Sequence, residues 1–182
     1  MIKIWKLNFE VDEYDNLLPV REFTADEIQS FDGRTHKKRW KPLPVTRMEP
    51  EKGLELGDAP GFTIPVFSKK ALDILRPLIQ DSVEELKLKF DEAEYYGINV
   101  ISVLDVIDYD KSEYLMFSHG KSIMVFHKYV FRDIEEIHKH NIFKIVDEPT
   151  RWEFVSDEFK ETVEKNNLTG FKFELVWDSE AE

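Results

Sequence analysis

Five histidines, His36, His119, His127, His138 and His140, are the side chains to test first for metal or acid–base chemistry. Only His138 and His140 lie close together. On a strand their two-residue spacing would put both imidazoles on one face, where they could hold a metal. On a helix it turns them about 200° apart. Glu135, Glu136 and Lys139 around them indicate a solvated segment, so surface histidines are expected and no metal ligand is assigned. The chain has no cysteine, which removes thiolate nucleophiles, disulfides, Cys-ligated zinc and iron–sulfur clusters together and fits a reducing compartment. No Gly-x-Ser-x-Gly elbow, phosphate-binding Gly-x-x-x-x-Gly-Lys-Ser/Thr loop, Gly-x-Gly-x-x-Gly or His-Glu-x-x-His is present. Asp108-Tyr-Asp110-Lys-Ser112 echoes a calcium loop but lacks the glycine at its sixth position and the Glu at its twelfth. No catalytic residue, cofactor or metal is therefore expected.

What remains is charge. The net charge of −12 repels phosphate backbones and anionic lipid and attracts basic partners. Its distribution is uneven. Residues 31–52 carry seven Lys/Arg against three acids, a local +4 that leaves −16 on the rest. Within that stretch, Arg34-Thr-His-Lys-Lys-Arg-Trp-Lys41 has the basic and aromatic content of a nucleic-acid patch, with Trp40 able to stack. It is one short run in an acidic chain, so a solvated loop or a local ion-pair partner is expected and nucleic acid is not. Asp81, Glu84 and Glu85, then Asp91, Glu92 and Glu94, read either as ordinary solvated faces or, more sharply, as a docking surface for a basic partner. Those six acids and Trp40 are the candidate partner-binding residues.

The elements that must position them follow from periodicity. Trp5, Leu7, Phe9 and Val11 alternate with polar residues, the pattern of a half-buried strand. Thr24-Ala-Asp-Glu27 has capping-box spacing and predicts a short helix ending at Gly33. Residues 34–66 hold five of the eight prolines and no long regular element fits there, which predicts a long punctuated surface stretch, a common home of function. Ser68 caps a helix through Leu72 and Leu75, with a kink or early stop expected near Arg76 because Pro77 follows. Leu86 to Phe90 and Tyr95 to Val103 predict adjacent antiparallel strands, and Tyr114 to Phe131 a hairpin across Ser118-His-Gly120. Ile142 to Val146 and Trp152 to Val155 are short strands, Ser156 caps a helix that stops by Asn167, and Phe171, Phe173, Leu175 and Trp177 form a closing strand. No internal repeat is visible.

In this order the segments resemble a family of bacterial immunity proteins from polymorphic toxin systems, immunity family eleven, formerly a domain of unknown function. The resemblance covers nearly the whole chain. It rests on Phe31-Asp-Gly-Arg34 with Trp40, on Pro65-Val-Phe-Ser68 opening the Ala71-Leu72 helix, and on Lys128-Tyr-Val-Phe131. Its most specific part runs from Phe154-Val-Ser-Asp-Glu-Phe-Lys160 through Leu168-Thr-Gly-Phe-Lys-Phe173 to Val176-Trp177, whereas Pro77 and His138 to Asn141 depart from the pattern. Each matched piece also has a structural job, so the motifs identify a fold and not a site. The resemblance implies a small cytoplasmic protein that sequesters a toxin domain encoded beside it.

The expectation is thus one α+β domain over residues 1–182, mainly antiparallel, with two or three short helices and the Pro/Gly-rich surface stretch. It has no signal peptide or membrane span, is cytoplasmic, and binds a basic toxin without catalysis, homodimerisation being left open. The rivals are a regulatory or scaffold module of unknown partner and, further off, a metal-dependent enzyme.

Overall fold

The computed structural model describes residues 1–181. The first strands are β1 (Lys3–Phe9) and β2 (Leu17–Pro19), followed by helix α1 (Ala25–Gln29), strand β3 (Leu43–Arg47), a single 3-10 turn at Pro50–Lys52, strand β4 (Val66–Ser68) and helix α2 (Lys69–Ile79). Strands β5 (Val83–Lys89), β6 (Tyr95–Val100), β7 (Val103–Leu104), β8 (Glu113–Met116) and β9 (Ile123–Lys128) come next. The chain ends with α3 (Glu135–His138), β10 (Ile142–Ile145), β11 (Phe154–Ser156), α4 (Asp157–Lys165) and β12 (Phe171–Asp178). One five-stranded sheet has the order β12-β1-β11-β10-β7, a second the order β2-β3-β5-β6-β4, and β8 and β9 form a separate hairpin. Among the described residues, the strand pairs β10–β7 and β3–β5 are parallel and the other strand pairs antiparallel. The α+β class and the antiparallel bias match the sequence expectation; four short helices stand where two or three were expected.

The two sheets share one core. Phe67 of β4 and Val155 of β11, Ile98 and Val100 of β6, and Leu7 of β1 pack with Ala71, Leu72, Leu75 and Ile79 of α2 and Phe159 and Val163 of α4. The two helices touch each other between the sheets. Strand alternation sends neighbouring side chains outward to further clusters. Phe154 of β11 joins Phe131, Phe143 and Trp177 beneath the hairpin, and Val66 of β4 joins Leu17, Leu43, Val45 and Leu88.

This symmetry is an internal repeat that the amino-acid sequence hides. In each half a three-residue strand ends in a serine, Ser68 or Ser156, that caps a helix by accepting the N–H of the residue three on. The strand after the helix lies two places away in the sheet, with one antiparallel strand between them, β6 in the first half and β1, from the start of the chain, in the second. Apolar residues recur three and seven positions after each cap, Ala71 and Leu75 against Phe159 and Val163. Those are the helix positions that face the core, and the remaining positions diverge freely.

Asp58 joins the halves. Its carboxylate accepts from Ser68 Oγ at 2.7 Å and from the Thr169 N–H at 3.0 Å, and Lys70 Nζ stands 3.1 Å away. Burial alone would raise its pKa, but the Thr169 N–H, the Ser68 hydroxyl and Lys70 together hold it below the usual carboxylate value. Gly170, alongside, has φ +84°, and a Cβ there would sit 2.6 Å from the Ala59 carbonyl oxygen. Only glycine fits this approach.

Three expectations are corrected by geometry. Helix α2 runs through Pro77 to Ile79, because Pro77 falls in the exposed last turn, where the Asp73 carbonyl it leaves unpaired by the helix can meet water. The closing strand does not keep one face. A bulge opposite Ile4 and Trp5 makes Val176 the extra residue, so Trp177 turns into the hairpin cluster while Leu175 stays exposed. The 34–66 stretch is not wholly at the surface: Leu43, Val45, Ala59, Ile64 and Val66 are buried.

Candidate functional site

The basic, proline-rich stretch is held to the second sheet by groups that sequence reading had placed in a docking surface. Glu84 Oε2 accepts the backbone N–H of His36 at 2.6 Å and of Lys37 at 3.2 Å, and Asn99 Nδ2 at 3.0 Å. Burial opposes ionisation of Glu84, yet the His36 N–H, the Asn99 amide and the Lys37 N–H hold its pKa below the usual value. Trp40 is half-buried and donates its indole N–H to the Lys87 carbonyl at 2.8 Å, packing beside Phe23 and Phe62. The Phe31-Asp-Gly-Arg34 motif is the hinge of this attachment. The Phe31 carbonyl accepts from the buried ammonium of Lys144, Gly33 at φ +102° passes so close to Val103 that a Cβ would lie 2.4 Å from its methyl, and the Arg34 carbonyl accepts from Asn99 at 2.8 Å.

The remaining candidate acids divide between the two ends of β5, roughly 20 Å apart at about 3.3 Å per residue. At one end Glu85 takes a two-pronged bond from Arg76, at 2.7 and 3.2 Å. At the other, in the β5–β6 turn, Glu92 accepts from Arg47 at 2.8 Å, and Glu94 lies 3.4 Å from Lys87. Asp81 and Asp91 are exposed, and neither has an ion-pair partner among the described residues. The fold therefore brings Asp91, Glu92 and Glu94 together, separates them from Asp81, Glu84 and Glu85, and commits Glu84, Glu85, Glu92, Glu94 and Trp40 to internal contacts. Such pairs are weak when exposed, but they lower the charge left to meet a partner.

His138 Nε2 meets Asp133 at 2.7 Å, whereas His140 turns inward, its Nδ1 2.8 Å from Ser82 Oγ and its Nε2 3.5 Å from Glu136. A serine, a histidine and a glutamate in line invite comparison with a hydrolase triad. In such a triad the carboxylate holds Nδ1 and the serine faces Nε2. Here the order is inverted and Ser82 is 3% exposed, so the array ties the α3–β10 turn to the start of β5. No group of three or more His, Cys, Asp or Glu side chains among the described residues has metal-binding geometry.

A concavity lies elsewhere, a groove of about 580 Å³ between the end of β1, strand β2 and the Gly61–Thr63 turn. Its lining includes Phe9, Val11, Leu18, Met48 and Phe62 together with Asp12 and Glu49. Val11, Leu18 and Met48 are 49, 40 and 49% exposed, unusually open for large apolar side chains grouped around one depression. Asn16 shapes the floor, its amide donating to the Val11 carbonyl at 2.9 Å and accepting the Gly61 N–H at 3.0 Å. Sequence reading missed this groove. Its only signal was a set of apolar residues in segments otherwise rich in charge and turns, with nothing to show that positions 11, 18, 48 and 62 converge.

Among the described residues no helix is long and apolar enough to cross a membrane. The chain is an acidic α+β protein of two five-stranded sheets and a hairpin, with His140 and most of its candidate acids engaged in internal contacts and an open apolar groove on its surface. It belongs to an immunity protein family, Imm11, whose model matches residues 8–178. No curated protein matches the chain.

Proposed function

We propose that this chain is a bacterial immunity protein that neutralises a cognate toxin domain by tight, non-catalytic binding in the cytoplasm. The observation that carries the reading is family membership across residues 8–178 of the 182-residue chain, almost its full length. The geometry supports the non-catalytic half: the serine nearest a histidine is buried, the imidazole meets it through the wrong nitrogen for a triad, and the two closest histidines have different partners.

The chain is read as one domain, a reading supported by the core that its two sheets share. A net charge of −12 suits a basic toxin surface, speeds encounter with it and disfavours nucleic acid. Asp81 and Asp91 are the predicted acids best placed to meet that surface directly. Trp40, Glu84, Glu85, Glu92 and Glu94 contribute field and shape while holding the fold. The protein needs no cofactor and no membrane, and a homodimer is compatible with its function. Co-expression with the toxin encoded beside the gene tests the reading: growth should be restored, and a toxin equally lethal with and without the chain would refute it.

A further inference from the structure

We propose that the groove between β1, β2 and the Gly61–Thr63 turn is the toxin-docking site, and that it receives a segment of the toxin bearing large apolar side chains flanked by lysine or arginine. This rests on the immunity reading and gives it a location.

Three observations carry the inference. The groove is apolar where a side chain would insert, lined by Val11, Leu18, Met48 and Phe62, and its volume of about 580 Å³ falls within the range of functional pockets. None of its lining residues is cationic, while Asp12 and Glu49 are among them. Glu51 follows Glu49, in the 3-10 turn Pro50–Lys52. Lys52 is occupied by Glu49 at 2.7 Å, and Asp12 and Glu51 have no ion-pair partner among the described residues. A lining of apolar side chains that also carries two carboxylates complements an apolar anchor beside basic residues.

The mode of docking also follows. The Leu17 N–H is taken by the Gly61 carbonyl at 3.1 Å and Pro19 has no N–H, so the outer side of β2 is a poor template for an added strand. Recognition is through inserted side chains. A second copy of this chain fits less well, because outside residues 31–52 it carries −16, and within that stretch Trp40 is already packed. The exposed apolar residues of the β8–β9 hairpin, Leu115, Met116 and Met124, stand outside this groove and serve as the control surface.

The test measures binding of the purified full-length chain to the toxin domain encoded beside its gene, for wild type, Leu18→Glu, Met48→Glu, the pair Asp12→Asn with Glu49→Gln, and the hairpin pair Leu115→Ser with Met124→Ser. Circular dichroism melts confirm folding, and Leu18→Ser and Met48→Ser replace any charged variant that unfolds. The groove variants should weaken binding at least about 30-fold, as loss of a buried anchor does. The acid pair should slow association more than it speeds dissociation. The hairpin pair should stay within about 2-fold of wild type. Wild-type binding that survives every groove substitution overturns the inference and leaves the immunity reading intact. A wild-type dimer that the groove variants dissolve, and that competes with toxin, overturns it by assigning the groove to a second copy. No wild-type binding defeats the immunity reading and the inference with it.

Discussion

Glu84 Oε2 lies 2.6 Å from the backbone nitrogen of His36, 48 residues away in sequence, and one carboxylate thereby fastens the most basic segment of the chain to the second sheet. An acid that reads as a docking residue is a buttress. Glu84→Gln leaves the His36 and Lys37 N–H groups facing a weaker acceptor and should cost about 1–3 kcal/mol in urea unfolding. Toxin affinity should change little, and a large loss of affinity without loss of stability would return Glu84 to the interface.

The same residue sets a pH dependence. Glu84 and Asp58 both have folded pKa values below their unfolded ones, so the stability each contributes is present above the unfolded value, about pH 4, and is lost as pH falls through the folded value. Glu153 and Asp147, raised mainly by burial, act in the opposite sense. The comparison is therefore between wild type and Glu84→Gln: the difference in unfolding free energy should be largest at neutral pH and shrink toward pH 3. A constant difference would contradict the assignment.

Gly33 should tolerate no side chain. Gly33→Ala combines a φ of +102° with a contact 2.4 Å from Val103 and should destabilise by about 2 kcal/mol or more in thermal unfolding. Adding Val103→Ala should recover only the contact part, because the backbone penalty remains. Full recovery would show that conformation is not limiting.

The two serine caps should be equivalent in kind. Ser68→Ala and Ser156→Ala each remove a cap to the third following N–H and should each lower stability by about 1 kcal/mol, with loss of helical circular dichroism only near the transition. Their equivalence also explains what sequence could and could not show. Serine before an apolar stripe is legible anywhere, as were the capping box at Thr24, the alternation of Leu86 and Leu88, and the Gly120 turn, because each is a local rule. The repeat was hidden because its second half borrows β1 from the start of the chain and keeps only the core-facing positions. The groove was hidden for a related reason: Val11, Leu18, Met48 and Phe62 come from four segments joined only by tertiary structure. For the acids, composition counts a carboxylate without showing whether Arg47, Arg76 or a backbone N–H already holds it.

Zinc should neither bind stoichiometrically nor raise the melting temperature. His138 faces Asp133 on the surface while His140 faces Ser82, so one ion would have to break both contacts to gather two ligands. A calorimetric titration with one equivalent of tight zinc binding, lost in His138→Ala, would reopen the metal-dependent reading.

If neutralisation is stoichiometric binding, titrating a fixed amount of active toxin with the chain will reveal it. Toxin activity should fall linearly and reach its floor at one equivalent, and toxin separated from the complex under denaturing conditions and refolded should be active again. Inactivation by a small fraction of an equivalent, or no inhibition at any ratio, would contradict it.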